Sequence, residues 1–282
     1  MTEASEWRGR VGDVWAQEWR RTDRSLAPVN DALVAAAAGE AARLTRPRIL
    51  DVGCGAGATS LALADALPDA EIIGIDLSEP LIAAARERAG DRTGLRFEVA
   101  DAAVWAPACA GFDLIVSRHG VMFFDDPAAA FAHLRGLAGA DARLVFSCFR
   151  GRAENQWATA LRPIFERFAP EALAAPEPPA GPFAFGDPAR IDSILTGAGF
   201  APPQIRALDF DFVAGAGGDP VADAVSYLRR IGPFARLLRS LDEDAGEAAL
   251  GQLAEIAAAH RSGDRIAFRA AAWLVTARVE PS

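Results

Sequence analysis

The sequence has no lysine and no apolar stretch close to the length of a membrane span. All 29 basic residues are therefore arginine, and Schiff-base chemistry on a lysine amine is excluded. A helix needs about 20 consecutive apolar residues to cross a bilayer, and the chain has no such run. The N-terminus, MTEASEWRGR, lacks the apolar segment of a signal peptide. These absences predict a cytoplasmic protein that has no membrane partner.

Cysteine and histidine are both scarce. Cys54, Cys109 and Cys148 form no Cys-x-x-Cys pair and have no histidine cluster nearby. This spacing predicts reduced thiols and argues against a disulfide framework or a structural zinc site. Three histidines are also too few for a histidine-rich metal centre, so no metal site is predicted.

The charge balance is acidic, with 38 acidic and 29 basic residues and a net charge of −9. A protein that binds phosphates usually carries a basic stripe, and none is visible, so nucleic-acid partners are disfavoured. Half of the 282 residues are apolar (51%), which is enough for a full hydrophobic core. We predict one domain over residues 1–282.

Short apolar runs alternate with helical segments through the centre of the chain. The runs are almost continuously apolar, as in strands that are buried on both faces of a parallel sheet. This alternation predicts a doubly wound α/β fold. The predicted strands are 48–53, 71–76, 95–99, 112–117, 142–149, 204–213 and 269–279, with helices near 58–67, 79–90, 126–138 and 187–198.

The flanking regions are mostly helical. Residues 1–45 contain two predicted helices, and Trp15 and Trp19 share one helix face because they are four residues apart. Residues 46–150 form the predicted core. Residues 151–282 supply the last strands, and a helical insertion at about 214–268 separates the final two.

Glycines cluster where the first core strand must turn into a helix. In ILDVGCGAGATS, Asp51, Gly53, Gly55 and Gly57 alternate along this turn. Glycine there permits positive φ and lets a ligand approach the backbone, while the helix N-terminus offers free N–H groups. A tight turn alone also favours glycine, so the strand–loop–helix context carries the prediction of a ligand-binding loop.

Two acids follow the next two strands. Asp76 ends EIIGID, where a carboxylate can accept hydrogen bonds from two ribose hydroxyls. It could instead cap the next helix, a role for which Ser78 competes. Asp101, in VADA, can accept from an adenine amino group or close a turn. Three strand ends that carry such groups at one sheet edge favour a nucleoside-type ligand.

These motifs, DVGCGAG, the acid at the end of the second strand, VADA and FDLIVS, resemble those of class I S-adenosylmethionine-dependent methyltransferases. The resemblance covers about residues 45–150 and is closest to the small-molecule, ubiquinone-biosynthesis-like branch. It implies a seven-stranded, mostly parallel sheet in which a reversed final strand lies beside the fifth. It also implies S-adenosyl-L-methionine as cofactor, S-adenosyl-L-homocysteine as product and a small-molecule substrate.

The same resemblance assigns the cofactor site. Gly53, Gly55 and Gly57 would wrap the methionine portion, and Asp51 can engage its cationic amino group. Asp76 would hold the ribose, and Asp101 with Ala102 would meet the adenine. The remaining cofactor positions are Cys54 and Leu77, beside these motifs, and Ser117, at the end of the fourth strand.

Catalysis of methyl transfer needs a base only if the acceptor arrives protonated. His119, directly after the fourth strand, is the candidate catalytic base, or it shapes the substrate pocket as Phe123 does. Trp15 and Trp19 are candidate substrate contacts on an N-terminal helical lid, or they anchor that helix on the sheet. The helical insertion could likewise be a lid, a dimer contact or plain core.

Three other functions stay open at this point. A fold relative could bind S-adenosylmethionine and perform different chemistry, or could be a non-catalytic partner protein. A nicotinamide-dinucleotide oxidoreductase also fits, because Gly53, Gly55 and Ala58 match GxGxxG/A. Asp51 weighs against a dinucleotide because it would repel a pyrophosphate. The sequence predicts a monomer or a homodimer.

Overall fold

One mixed sheet runs through the computed structural model, which describes residues 7–280. Its strand order is β3-β2-β1-β4-β5-β8-β6, and a two-residue strand, β7, pairs with β8. The strands are β1 Arg48–Val52, β2 Glu71–Asp76, β3 Leu95–Val99, β4 Phe112–Arg118, β5 Ala138–Phe149, β6 Gln204–Ala216, β7 Arg261–Ser262 and β8 Arg265–Arg278.

The strand directions confirm the predicted fold class. Strands β1 to β5 pair in parallel, whereas β8 runs antiparallel to both β5 and β6. The final long strand is therefore the reversed one, and it lies beside the fifth as the resemblance implied. The order reverses between β1 and β4, and such a switch point opens a crevice at the carboxyl ends of the strands.

Helices cover both faces of this sheet. An N-terminal pair, α1 Arg10–Ser25 and α2 Ala27–Ala41, precedes β1. The remaining helices are α3 Ala58–Ala66, α4 Glu79–Ala89, α5 Pro127–Leu137, α6 Gln156–Thr159, α7 Arg162–Phe168, α8 Pro170–Ala174, α9 Pro188–Gly197, α10 Pro220–Leu228, α11 Pro233–Leu238 and α12 Glu243–Ala259.

Local sequence explains where several helices begin. Asp126, Asp187 and Asp219 each accept a hydrogen bond from a backbone N–H of the following first turn, and each precedes a proline. An N-cap acceptor satisfies a free N–H group, and proline at the first position loses no hydrogen bond. Ser78 caps α4 in the same way through Leu81. Asp76 is thus not the cap of this helix.

The core fills both sides of the sheet. On one face, Leu33 and Ala37 of α2 and Leu63 of α3 pack with Ile49 and Val145. On the other face, the buried set includes Leu50, Ile115, Phe131, Leu134 and Phe146. Because neighbouring residues of one strand are buried on opposite faces, β1 reads as an apolar run rather than as an alternating one.

Some predicted boundaries differ from the structure. Helix α1 continues to Ser25, beyond Trp15 and Trp19, the two residues on which its prediction rested. The helices of the insertion occupy 220–259, because β6 continues to Ala216 and β8 begins at Arg265. Backbone pairing between β6 and β8 extends both strands past the alternating segments. Such tertiary pairing leaves little trace in local sequence.

Candidate cofactor and acceptor site

A cavity of about 470 Å³ opens at the carboxyl ends of β1, β2 and β4. Its polar end is formed by the glycine loop after β1 and the acids after β2 and β3. Its aromatic end lies between β5, β6 and the helical insertion. The polar end includes Gly53, Cys54, Gly55, Asp76, Leu77, Asp101 and Ala102, and the aromatic end includes His119, Phe149, Trp157, Phe212, Tyr227, Leu228, Ile231 and Phe234.

The glycine loop shapes the polar end through backbone conformations that other residues rarely adopt. Gly55 has φ +55° and Gly57 has φ +81°. A Cβ atom at Gly55 would meet no atom within 4 Å, so this position borders open cavity. A Cβ atom at Gly57 would lie 2.8 Å from the Phe97 ring. Gly55 therefore lets a ligand approach, whereas Gly57 lets α3 pack closely against the sheet.

Asp76 accepts hydrogen bonds from the glycine loop and can still accept others from a ligand. Its Oδ2 atom accepts from the Gly55 N–H at 2.9 Å, and its Oδ1 atom accepts from the Ser78 N–H at 2.9 Å. Each carboxylate oxygen has a second lone pair, so both can also accept a hydroxyl. Burial raises the pKa of Asp76, against the lowering effect of these two N–H groups. The arrangement fits two ribose hydroxyls.

Asp101 lies across the polar end and already has an ion-pair partner. Its Oδ2 atom lies 3.0 Å from Nη2 of Arg8, and its Oδ1 atom accepts from the Ala103 N–H at 3.1 Å. Sequence reasoning missed Arg8, because nothing marks a residue 93 positions away as a partner. An adenine amino group at Asp101 would share this carboxylate with the arginine.

Three predicted cofactor residues lie behind the cavity wall instead of lining it. Asp51 is fully buried, and its Oδ2 atom accepts from the Ser60 hydroxyl at 2.5 Å. Ser117 is buried too, and its Oγ atom accepts from the Gly120 N–H at 3.2 Å. Gly57 faces Phe97. Through these hydrogen bonds Asp51 and Ser117 support the two loops that line the cavity, and the ligand contacts expected of the three residues stay predictions.

Asp51 gives a pH-dependent prediction. Burial, the largest cause, raises its pKa from an ordinary 3.8 to about 6. A carboxyl whose pKa is raised by folding binds its proton more tightly in the folded state, so stability falls as pH rises from about 4 to 6. A shift of this size corresponds to ~3 kcal/mol in the free energy of unfolding.

We therefore expect Asp51→Asn to flatten the stability profile between pH 4.5 and 7, measured by urea unfolding. The variant should gain stability relative to the natural chain at pH 7 and little at pH 4.5. Asn can still accept from Ser60, so packing is largely kept. A difference between the two chains that does not change with pH would contradict a buried, titrating Asp51.

Helix α1 covers the polar end, and Trp15 and Trp19 both line the cavity. Asp23 fixes this helix to α4 and to the end of β4 through ion pairs with Arg88 and Arg118, each at 2.9 Å. The Arg88 guanidinium also lies 3.9 Å from the centre of the Trp19 ring. Trp19 thus serves partly as an anchor, while its position on the cavity wall keeps the predicted ligand contact possible.

The helical insertion is clamped to the same helix. Asp223 of α10 lies 2.7 Å from Nε of Arg21 and 2.8 Å from Nη1 of Arg24. The Tyr227 hydroxyl donates to the Thr22 hydroxyl at 3.1 Å. Burial would raise the pKa of Asp223, but Arg21, the Ala216 N–H and Arg24 outweigh it and lower the pKa. Helix α1 and the insertion therefore form one cover over the cavity.

His119 lies where the two ends of the cavity meet. It is buried, has φ +60°, and its ring centre lies 4.2 Å from that of Phe149. Its Nδ1 atom lies 2.9 Å from the Ser147 hydroxyl oxygen, and its Nε2 atom has no partner among the described residues. Burial, with a smaller contribution from Arg118, lowers its pKa from 6.5 to about 3. The imidazole is therefore neutral at physiological pH.

The aromatic end contains few free polar groups. Trp157 donates from Nε1 to the side-chain oxygen of the buried Asn155 at 3.2 Å, and its ring stacks on Phe212 at 5.7 Å. Phe123, the remaining predicted substrate residue, lines the wall and packs on Trp7 at 5.2 Å. Sequence reasoning missed Trp157 and Tyr227, because no motif in the sequence marks either residue.

The described part of the chain shows neither a metal cluster nor a spanning helix. Among residues 7–280, no group of three His, Cys, Asp or Glu side chains is placed to hold a metal ion. Over the same residues, no helix has the length and apolar character needed to cross a bilayer.

Comparisons with known proteins indicate the class to which this domain is similar. Residues 49–138 match the family model of a methyltransferase domain. The trans-aconitate 2-methyltransferase of Variovorax paradoxus is 36% identical over 107 residues, 38% of this chain and 38% of that enzyme. The demethylmenaquinone methyltransferase of Deinococcus radiodurans is 29% identical over 184 residues, 62% of this chain and 76% of that enzyme. Thus the chain matches less than half the length of the first of these relatives.

The fold is also that of solved structures. The YcgJ protein from Bacillus subtilis superposes with a TM-score of 0.56 at 16% identity, over 89% of this chain and 100% of that one. Together, fold, glycine loop and acids define a Rossmann-like domain of the methyltransferase type. Residues 49–138 therefore form a methyltransferase domain similar to those of the class I, S-adenosylmethionine-dependent type, and these comparisons support S-adenosylmethionine as the cofactor. The named relatives are methyltransferases and not nicotinamide-dinucleotide enzymes.

Proposed function

We propose that this protein transfers the methyl group of S-adenosylmethionine to a small-molecule acceptor. The observation that carries the proposal is a continuous cavity that joins the glycine loop and Asp76 to an aromatic end. A donor held at the polar end would present its methyl group towards the aromatic end. The two relatives named above are both methyltransferases whose names give small acceptors, which supports the same reading.

The protein's own contribution would be binding, alignment and exclusion of water. S-adenosylmethionine supplies an activated methyl group when it is bound. Gly53 and Gly55 would hold its methionine portion, Asp76 the ribose, and Asp101 with Ala102 the adenine. The cover of α1 and the insertion would shield the reacting atoms from water, and in-line alignment can supply much of the rate of such a displacement.

Calorimetry and a transfer assay test this function. We expect S-adenosylmethionine and S-adenosylhomocysteine to bind and NAD not to bind. Labelled methyl should then pass to one or more members of a panel of uncharged and charged acceptors. Binding of NAD without either adenosyl ligand would overturn the proposal. Tight adenosyl binding without transfer to any acceptor would instead favour other chemistry on the same cofactor, or a non-catalytic partner protein.

A further inference from the structure

Two buried side-chain nitrogens on the cavity wall have no hydrogen-bond partner among the described residues: Nε1 of Trp7, beside Phe123, and Nε2 of His119. His119 is 6% exposed and lines the cavity. A buried polar group is normally hydrogen-bonded, so an unpaired one on a cavity wall indicates that a ligand supplies the partner. Whether Nε2 accepts or donates depends on which ring nitrogen carries the proton.

Ser147 decides between these two forms. Its hydroxyl oxygen lies 2.9 Å from Nδ1 of His119 and has no other hydrogen-bond partner among the described residues. If Nδ1–H donated to Ser147, both the serine O–H and the Nε2 lone pair would be left unpaired. If Ser147 donates to Nδ1, only the Nε2–H remains unpaired. The form in which Ser147 donates and Nε2 carries the proton leaves fewer buried polar groups unpaired, so it is favoured.

The backbone holds this pair in register. The His119 N–H donates to the Ser147 carbonyl oxygen at 3.0 Å, which joins the residue after β4 to the neighbouring strand β5. The ring is packed edge-on against Phe149. Contacts with Ser147 and Phe149, both in β5, thus set the position of the imidazole and the direction of its Nε2 atom.

We propose that His119, with its tautomer set by Ser147, donates an Nε2–H hydrogen bond to an oxygen of an uncharged aromatic acceptor. The proposal deepens the function given above and rests on it. It assigns His119 a substrate-orienting role in place of the base that the sequence suggested, and it makes Ser147 a positioning residue. The lowered pKa of His119 agrees, since a weakly basic imidazole takes up a proton poorly.

The surrounding side chains define the rest of the acceptor class. Phe149, Trp157 and Phe212 present ring faces and edges, and Tyr227 and Trp157 have their polar atoms paired elsewhere. Arg118, the only arginine among the described residues that line the cavity, is paired with Asp23. A carboxylate in this compartment would lose its hydration without gaining a free counter-charge. A flat ring that carries a carbonyl oxygen has no charge to desolvate, and the Nε2–H group would replace the hydrogen bond that its oxygen loses from water.

Histidine NMR tests the tautomer without cofactor or turnover. The chain has only three histidines, and the other two are internal references. His133 must carry its proton on Nε2, which lies 2.8 Å from the Trp105 carbonyl oxygen. His260 must carry it on Nδ1, which lies 2.8 Å from the Ile256 carbonyl oxygen. At pH 8 we expect the ¹⁵N signals of His119 to match the pattern of His133. A match to His260 would overturn the proposal.

Two matched variants separate a donor from a base. His119→Gln keeps an N–H donor near the position of Nε2, whereas His119→Phe fills the space without one, and both meet the same positive φ. We expect Gln to bind 1-tetralone, a ring ketone, within about threefold of the natural chain, and Phe to bind it about tenfold more weakly. Tetralin, the same ring system without oxygen, should bind all three chains alike.

The outcomes distinguish this inference from the proposed function. Equal loss of 1-tetralone binding in Gln and Phe would overturn the donor role, whether or not methyl transfer occurs. Ser147→Ala should mix the two tautomers of His119 and raise the KM for the acceptor more than it lowers kcat. An unchanged tautomer in this variant would remove Ser147 as the positioning residue. Failure of methyl transfer to every acceptor, with the tautomer and 1-tetralone results as expected, would overturn only the function.

Discussion

Asp76→Ala should weaken the binding of S-adenosylhomocysteine by about 100-fold, the largest loss expected for one side chain at the polar end. The carboxylate would accept both ribose hydroxyls, and hydrogen bonds to a charged group contribute about 1.5–3 kcal/mol each without adding fully. The substitution also removes the acceptor of the Gly55 N–H, so the loop that would hold the methionine portion loses its support. Titration calorimetry of the full chain measures the change.

Glu71→Ala is the matched control. Glu71 is the first residue of the same strand, β2, whereas Asp76 is the last, so it lies at the far end from the cavity. Its partner is Arg46, in a solvent-exposed ion pair that contributes little to stability. We expect unchanged affinity in this variant. If Asp76→Ala and Glu71→Ala bound the ligand equally well, Asp76 would not be the ribose acceptor.

Gly57→Ala should mainly lower the stability of the fold, whereas Gly55→Ala should mainly weaken ligand binding, although both glycines have positive φ. At Gly57 the new methyl group would lie 2.8 Å from the Phe97 ring and 3.1 Å from the Ala85 Cβ atom. The left-handed backbone costs about 1–2 kcal/mol for an L-residue, and overpacking costs about 1–3 kcal/mol more. We expect the free energy of unfolding to fall by ~2–5 kcal/mol.

At Gly55 only the backbone cost of about 1–2 kcal/mol applies, because the methyl group enters open cavity. This variant should stay folded and bind S-adenosylhomocysteine at least about tenfold more weakly, since the ligand must avoid the new atoms. Urea unfolding and calorimetry on both variants make the comparison. Equal stability losses would contradict the assignment of Gly57 to packing, and unimpaired binding in Gly55→Ala would contradict the ligand approach at Gly55.

Local signals in the sequence were sufficient for the parallel core and the polar end. Apolar runs of five to seven residues marked β1, β2 and β4, because strands buried on both faces carry no alternation, whereas the edge strand β3, LRFEV, alternates apolar and charged residues. Glycine after β1 and aspartate after β2 and β3 mark turns at one edge of a parallel sheet, and parallel topology brings these edges together. Gly53, Gly55, Asp76 and Asp101 consequently met in one cavity.

The aromatic end was beyond such reasoning because its contacts join distant segments. Ser147 looked like an ordinary small residue of a buried strand, and only the β4–β5 register brings it to His119. Asp51 and Ser117 show a second limit, which is that the sequence does not give the direction in which a strand side chain points. Their positions in the motif predicted ligand contact, but a side chain on a strand can point behind the loop as readily as towards it, and period-two alternation alone does not say which.

The cover over the cavity joins helix α1, near the start of the chain, to the helical insertion, which is synthesised about 200 residues later. Arg21 and Asp223 are separated by 202 positions, and Thr22 and Tyr227 by 205. Residues 48–118 can form four adjacent parallel strands from nearby sequence, whereas the cover must wait until its second half has left the ribosome. Long-range contacts form late and slowly, because loop closure costs entropy before the contact repays it. A nascent chain should therefore possess the cofactor loop well before it possesses a closed reaction chamber.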